Sequence, residues 1–155
     1  MGNNLPCCPD LQPPASFFDV TCIEGREGFD EEYRVALISV ENPTDDTTEV
    51  TYQVCRCAGD ISHVTFEVCG AGPTPIAMGE SPNVLPPNTE PDNLPYTSAK
   101  FEWTFGDDDC AELVLTYDTA FQFEEGVTFR EIEVSIFQAG ELFTSTILGP
   151  CFGEA

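Results

Sequence analysis

Positive charge is scarce in this chain of 155 residues: five Lys and Arg residues stand against 28 Asp and Glu residues, which gives a formal net charge of −23. Nucleic acids are held through clustered Lys and Arg, and anionic membrane surfaces attract polybasic segments. This balance therefore nearly excludes nucleic acid and disfavours an anionic membrane surface as a partner. The carboxylates favour solubility and mutual repulsion between copies of the chain. Copies that associate therefore need extensive strand pairing or covalent ties.

Other features missing from the sequence argue against further classes of protein. No apolar run approaches the length of a membrane-spanning helix, and residues 1–6 lack the basic and apolar segments of a secretory signal. We therefore expect no membrane span and no N-terminal secretion signal. The only histidine is His63, and the chain has no Gly-x-Ser-x-Gly motif, so a hydrolase on a β scaffold has no motif in its favour. We interpret His63 as a solvated or hydrogen-bonded strand residue, and we expect neither enzyme activity nor a cofactor.

The pattern that is present indicates strands. From residue 17 onward, β-branched and aromatic residues recur with period two, and no helix of useful length is indicated. The predicted strands lie near residues 17–23, 33–41, 48–57, 61–69, 99–105, 111–118, 126–137 and 143–148. This number of short strands predicts an all-β, eight-stranded, two-sheet sandwich of the jelly-roll type. In the seventh strand, alternation places Ile132, Val134 and Ile136 in the core, with Arg130 on their side near the strand's end.

Proline divides the chain into regions. Residues 1–16 place Cys7 and Cys8 among prolines and are predicted to form a flexible, extended arm ahead of one β-sandwich domain over residues 17–155. About 16 extended residues cover roughly 50 Å, whereas a domain of the remaining size has a gyration radius of about 14 Å. The arm can therefore reach a neighbouring molecule. The proline-rich segment 70–98 is predicted to be a long exposed loop that holds no central strand.

The eight cysteines form an even set, which favours an oxidising final environment. Adjacent cysteines rarely bond to each other, because a disulfide needs α-carbons about 4.4–6.8 Å apart with facing side chains. Cys7 and Cys8 therefore need partners elsewhere. Cys55 and Cys57 share one face of a predicted strand, so each of them also needs its own partner.

Three further cysteines, Cys69, Cys110 and Cys151, lie at or near predicted strand ends. Such positions suit disulfides inside the domain as well as disulfides to an incoming arm. Eight cysteines allow about 105 connectivities, and the residues alone do not choose among them.

No metal site is predicted. Zinc sets combine closely spaced cysteine pairs with a further pair or with histidines, and here only Cys55 and Cys57 have a suitable spacing. Three acidic runs, at residues 30–32, 44–46 and 107–109, lie in predicted turns, but none matches the twelve-residue calcium loop. We interpret them as solvated turns. Nothing in the sequence brings two carboxylates into one cleft for glycoside cleavage.

The N-terminal pattern consists of an apolar residue, a spacer, two cysteines and a further cysteine: Leu5-Pro6-Cys7-Cys8, followed by Cys22. This pattern resembles the connector of bacterial endospore appendage subunits. In that family, jelly-roll subunits stack helically, their sheets augment one another, and connector cysteines form disulfides with subunits further along the fibre.

The resemblance implies roles for five cysteines: Cys7 and Cys8 as donor thiols, Cys22 at the third connector position, and Cys110 or Cys151 as an acceptor. We therefore expect a structural subunit that polymerises with copies of itself into an extracellular or spore-surface fibre, through sheet augmentation and inter-subunit disulfides. The alternative is a secreted β-sandwich binding module or adhesin that binds calcium or carbohydrate at the acidic turns or at the 70–98 loop.

Overall fold

A computed structural model describes residues 16–25, 28, 31–70, 75–77, 83–88, 93–103, 109–120, 122–138 and 140–152. Within these residues the protein is all-β, with eleven strands and no helix. The strands are β1 (Asp19–Glu24), β2 (Glu32–Glu41), β3 (Thr48–Ala58), β4 (His63–Glu67), β5 (Cys69–Gly70), β6 (Pro75–Ala77), β7 (Asn83–Leu85), β8 (Ser98–Glu102), β9 (Cys110–Tyr117), β10 (Phe129–Gln138) and β11 (Glu141–Phe152). With no helix among the described residues, none of them forms a helical membrane span.

The strands form two sheets, ordered β1-β2-β3-β9-β6 and β5-β11-β10-β4-β8-β7. Eight strands have five or more residues, four in each sheet, and they coincide with the eight predicted segments. The two-sheet sandwich is therefore confirmed. The inner strands pair in the nested manner of a jelly roll, β3 with β9 and β4 with β8. The outer strands pair with their chain neighbours instead: β1 with β2, β2 with β3, and β10 with β11.

The core lies between the two sheets and is formed by alternate residues of the long strands. The first sheet contributes Tyr33, Val35, Leu37, Val50, Tyr52, Val54, Leu113, Leu115 and Tyr117, and the second contributes Val64, Phe66, Ala99, Phe101, Ile132, Val134, Ile136 and Ile147. The rings of Tyr52 and Phe66 stack across the middle with centroids 4.4 Å apart. The predicted core positions Ile132, Val134 and Ile136 are confirmed.

The start of β10 departs from the predicted alternation. Phe129 is fully buried and packs against Phe123, with ring centroids 4.8 Å apart, whereas Arg130 is exposed. A tight backbone turn precedes the strand, in which the amides of Val127, Thr128 and Phe129 donate to the carbonyl of Glu124. Local turn geometry therefore overrides the period-two pattern at this end.

The proline-rich segment 70–98 was predicted to be a loop, and its described parts instead contain two edge strands. β6 pairs with β9 at one edge of the first sheet, and β7 pairs with β8 at one edge of the second. Each has three residues. Proline is tolerated at sheet edges and at the first residue of a strand, and Pro75 begins β6. The prediction that this segment holds no central strand agrees with these positions.

Candidate functional site

Four residues on adjacent strands form one row across the outer face of the first sheet. Cys22 of β1 lies opposite Arg34 of β2, Arg34 lies opposite Cys55 of β3, and Cys55 lies opposite Cys110 of β9. All four project away from the core, because their chain neighbours fill the inner face. We call this row, together with Cys57 two residues along β3 from Cys55, the cysteine face.

Arg34 lies at the centre of the cysteine face and is fully buried, as is Cys55. Its Nη2 donates to Oε1 of Gln53 over 3.1 Å and to Sγ of Cys55 over 3.3 Å. Burial lowers the pKa of the guanidinium from its ordinary value, because removal from water disfavours the charged form. A fully buried cation is costly, so its hydrogen bonds to the amide and the sulfur are needed to hold it there.

The cysteine face contains a cross-strand disulfide between Cys55 and Cys110, whose α-carbons are 4.0 Å apart. A second disulfide joins Cys69 of β5 to Cys151 of β11, with α-carbons 4.6 Å apart, at the only parallel strand pair among the described residues. Cys22 and Cys57 are disulfide-bonded as well. These internal bonds are compatible with an extracellular location.

The cysteines to which inter-subunit roles were assigned fall into two groups. Cys7 and Cys8, and all of the predicted arm except Ser16, lie outside the described residues. The two predicted acceptors, Cys110 and Cys151, are paired within the chain. An inter-subunit bond to either of them therefore requires thiol–disulfide exchange. The sequence-based conclusion that Cys55 and Cys57 do not bond to each other agrees with the Cys55–Cys110 pairing.

The acidic runs differ from one another. Residues 44–46 form an exposed turn in which Oγ1 of Thr44 accepts from the amide of Asp46 over 3.2 Å. In the run 30–32, by contrast, the predicted solvated turn is wrong for Glu31, which is only 7% exposed. Gly25 and Gly59 leave room for it: a Cβ on Gly25 would lie 2.5 Å from Cβ of Glu31. Asp109 is exposed, and residues 107–108 lie outside the described part.

Glu67, Glu133 and Tyr96 lie close together on the second sheet. Oε1 of Glu67 on β4 accepts from the amide of Glu133 on β10 over 2.8 Å, and the hydroxyl of Tyr96 donates to Oε1 of Glu133 over 2.5 Å. Burial and the hydrogen bond to Glu133 raise the pKa of Tyr96, so this phenol keeps its proton and donates it only as a hydrogen bond. Within the described ranges, no three His, Cys, Asp or Glu side chains are grouped so as to hold a metal ion.

His63 was predicted to be a solvated or hydrogen-bonded strand residue, and its burial shows that the solvated alternative is wrong. Its ring is 4% exposed and stacks on Phe137 of the neighbouring strand, with centroids 4.7 Å apart and planes 8° from parallel. Phe137 and the strand pairing therefore give the imidazole a packing role.

Arg34 and Gln53 were not predicted from the sequence. One signal was available: Arg34 interrupts a largely apolar predicted strand, between Tyr33 and Val35. Its place beside cysteines of two other strands follows only from strand register, which the sequence does not reveal. Compared with known proteins, the chain matches no family model, no curated protein and no solved structure.

Proposed function

We propose that this chain is a structural subunit, and not an enzyme, that assembles with copies of itself into an extracellular or spore-surface fibre. Neighbouring copies pair their sheet edges, and disulfides from Cys7 and Cys8 tie them together. The observation that carries the proposal is the gathering of four cysteines on the outer face of one sheet, the cysteine face. An arm with two adjacent cysteines needs such a set of sulfur partners. Because these four cysteines are disulfide-bonded in the single chain, bonds between copies form by thiol–disulfide exchange or by exchange of arms.

One edge of the first sheet supports pairing between copies. At that edge, β6 covers only residues 115–117 of β9, so among the described residues no strand lies beside residues 111–114. The other edge, β1, lies against β11 of the second sheet and is closed by side-chain hydrogen bonds. Unpaired backbone N–H and C=O groups at a sheet edge are templates for an added strand. The open part of β9 is therefore where we expect a strand of a neighbouring copy to add.

Covalent ties suit a subunit of this charge. Copies with a net charge of −23 repel one another, and repulsion weakens any edge pairing at low salt. Identical arms can be exchanged between copies, as in domain swapping, so that bonds that close within an isolated chain join neighbouring chains in an assembly. Disulfides then hold the assembly together even where edge pairing alone would not.

The test is boiling purified assemblies in detergent with and without reductant, followed by gel electrophoresis and negative-stain microscopy. We expect fibres in the micrographs, a ladder of oligomers without reductant and monomer with it. The double variant Cys7→Ser/Cys8→Ser should give monomer in both lanes. The matched control Cys69→Ser/Cys151→Ser also removes two cysteines and should keep the ladder.

Monomer in both lanes for the unmodified protein would refute the covalent part of the proposal, and solitary globules in the micrographs would refute the fibre. A monomer that binds calcium in a calorimetric titration would instead support the alternative of a secreted binding module.

A further inference from the structure

The Cys55–Cys110 disulfide has two unlike ends. At one end Cys55 is fully buried, and Nη2 of Arg34 lies 3.3 Å from its Sγ. At the other end Cys110 is half-buried, with the exposed Asp109 before it in the chain. Glu112, also exposed, lies two residues further along β9 and projects from the same face. The bond therefore has a buried cationic end and a more accessible anionic end.

This asymmetry matters in thiol–disulfide exchange. A thiolate attacks one sulfur of the disulfide, and the other sulfur leaves as a thiolate. A neighbouring cation stabilises a thiolate, whereas nearby carboxylates destabilise one. The guanidinium of Arg34 therefore favours Cys55 as the sulfur that leaves, and access favours Cys110 as the sulfur that is attacked.

We propose that Cys55–Cys110 is an exchange-active disulfide and that Cys110 is the site at which an incoming thiol becomes attached. The thiolate bonds to Sγ of Cys110, the sulfur–sulfur bond breaks, and its electron pair stays on Sγ of Cys55 beside Arg34. One disulfide and one thiolate are consumed and one of each is formed, so the step needs no external oxidant or reductant. The ligand class is a small or peptide thiol. The step concerns a single chain and does not require the fibre.

The second disulfide provides an internal comparison. Cys69 and Cys151 are both half-buried, so neither sulfur is as shielded as that of Cys55. If exposure alone set the rate of thiol–disulfide exchange, Cys69–Cys151 would exchange first. If the cation beside Cys55 sets that rate, Cys55–Cys110 exchanges first although Cys55 is buried.

The experiment treats the oxidised full-length protein with cysteamine for timed intervals, followed by acid quenching, denaturation and alkylation of free thiols with a maleimide. Peptide mass mapping then locates both labels. We expect cysteamine on Cys110 and maleimide on Cys55, at a rate about tenfold above that of exchange at Cys69–Cys151. Cysteamine on Cys55, or faster exchange at Cys69–Cys151, overturns the proposal.

The variant Arg34→Met tests the cation directly, since methionine fills a similar space without the charge. We expect exchange at Cys55–Cys110 to slow about tenfold while the exchange rate at Cys69–Cys151 stays the same. In the variant Arg34→Lys, the rate at Cys55–Cys110 should lie between those of the unmodified protein and the methionine variant. An unchanged rate at Cys55–Cys110 in the methionine variant overturns the role of Arg34. A constant exchange rate at Cys69–Cys151 shows that the fold is intact. If the methionine variant does not fold, the lysine variant and the comparison of the two disulfides in the unmodified protein test whether Arg34 speeds exchange at Cys55–Cys110.

Discussion

At the scale of single residues, one tyrosine and one glycine join the two sheets. The hydroxyl of Tyr52, on β3 of the first sheet, donates to the carbonyl of Leu148, on β11 of the second, over 3.0 Å. Next to that carbonyl, Gly149 leaves the space that the tyrosine hydroxyl and the side chain of Ile132 occupy. A Cβ at Gly149 would lie 2.8 Å from the hydroxyl and would overlap the end of Ile132. The close approach of the sheets therefore depends on the missing side chain.

The variant Gly149→Ala is predicted to lower the free energy of unfolding by about 2 kcal/mol, because the added methyl overpacks the core. The measurement is urea unfolding followed by circular dichroism with all disulfides oxidised. Gly140→Ala is the matched control: Gly140 has φ +80° and open space around its Cβ position, so its cost is backbone strain alone, about 1 kcal/mol. A larger loss of unfolding free energy in Gly140→Ala than in Gly149→Ala would contradict this account.

At the scale of elements, β1 is held on two sides. Along one edge it pairs with β2, and along the other its side chains reach β11. Oδ2 of Asp19 accepts from the amide of Leu148 over 2.9 Å, and the hydroxyls of Thr21 and Ser145 are 2.6 Å apart. Asp19 thus takes the place of a backbone carbonyl at a point where β11 has no strand beside it among the described residues. These side-chain bonds close one side of the sandwich.

The variant Asp19→Ala is predicted to lower the free energy of unfolding by about 1–2 kcal/mol, because it leaves the buried amide of Leu148 without its acceptor. Hydrogen exchange at that amide should quicken, and Asp19→Asn, which keeps an acceptor oxygen, should restore most of the protection. Asp45→Ala, in an exposed turn, removes the same charge and is expected to change stability by less than about 0.5 kcal/mol. Equal effects at positions 19 and 45 would show that charge, and not the hydrogen bond, is responsible.

The elements also show how far the sequence could predict the fold. Period-two patterning located all eight long strands and the core residues of β10, since a half-buried strand exposes every second residue whatever it pairs with. Pairing between strands distant in the chain leaves no such local mark. The hairpins at the outer strands, the short edge strands β6 and β7 and the burial of Glu31 therefore escaped prediction.

The candidate site was predictable only in part, for the same reason. The cysteines are visible in the sequence, and the positions of Cys55 and Cys57 on a strand excluded a bond between them. The partner of Cys55 depends on the register that sets it opposite Cys110, and the arginine beside it depends on the register between β2 and β3. Register over such separations is fixed by the packed sandwich as a whole.

At the scale of the whole molecule, charge is the dominant feature. The ion pairs among the described residues include Arg56 with Asp60 and Lys100 with Glu102, each over 3.2 Å. Five basic residues cannot offset 28 acidic ones, so most carboxylates face others of the same sign. Folding brings these charges closer together than they are in the unfolded chain, and the repulsion lowers stability.

Salt should therefore stabilise the monomer. Raising sodium chloride from about 10 mM to about 0.5 M shortens the screening length from about 30 Å to a few ångströms, which removes most of the repulsion between surface carboxylates. We expect the melting temperature of the oxidised Cys7→Ser/Cys8→Ser variant to rise by several degrees, measured by scanning calorimetry. Sucrose at matched osmolality is the control, because it strengthens burial without screening charge. An equal rise in sucrose, or no rise in salt, would show that repulsion between carboxylates is not what limits the stability of this fold.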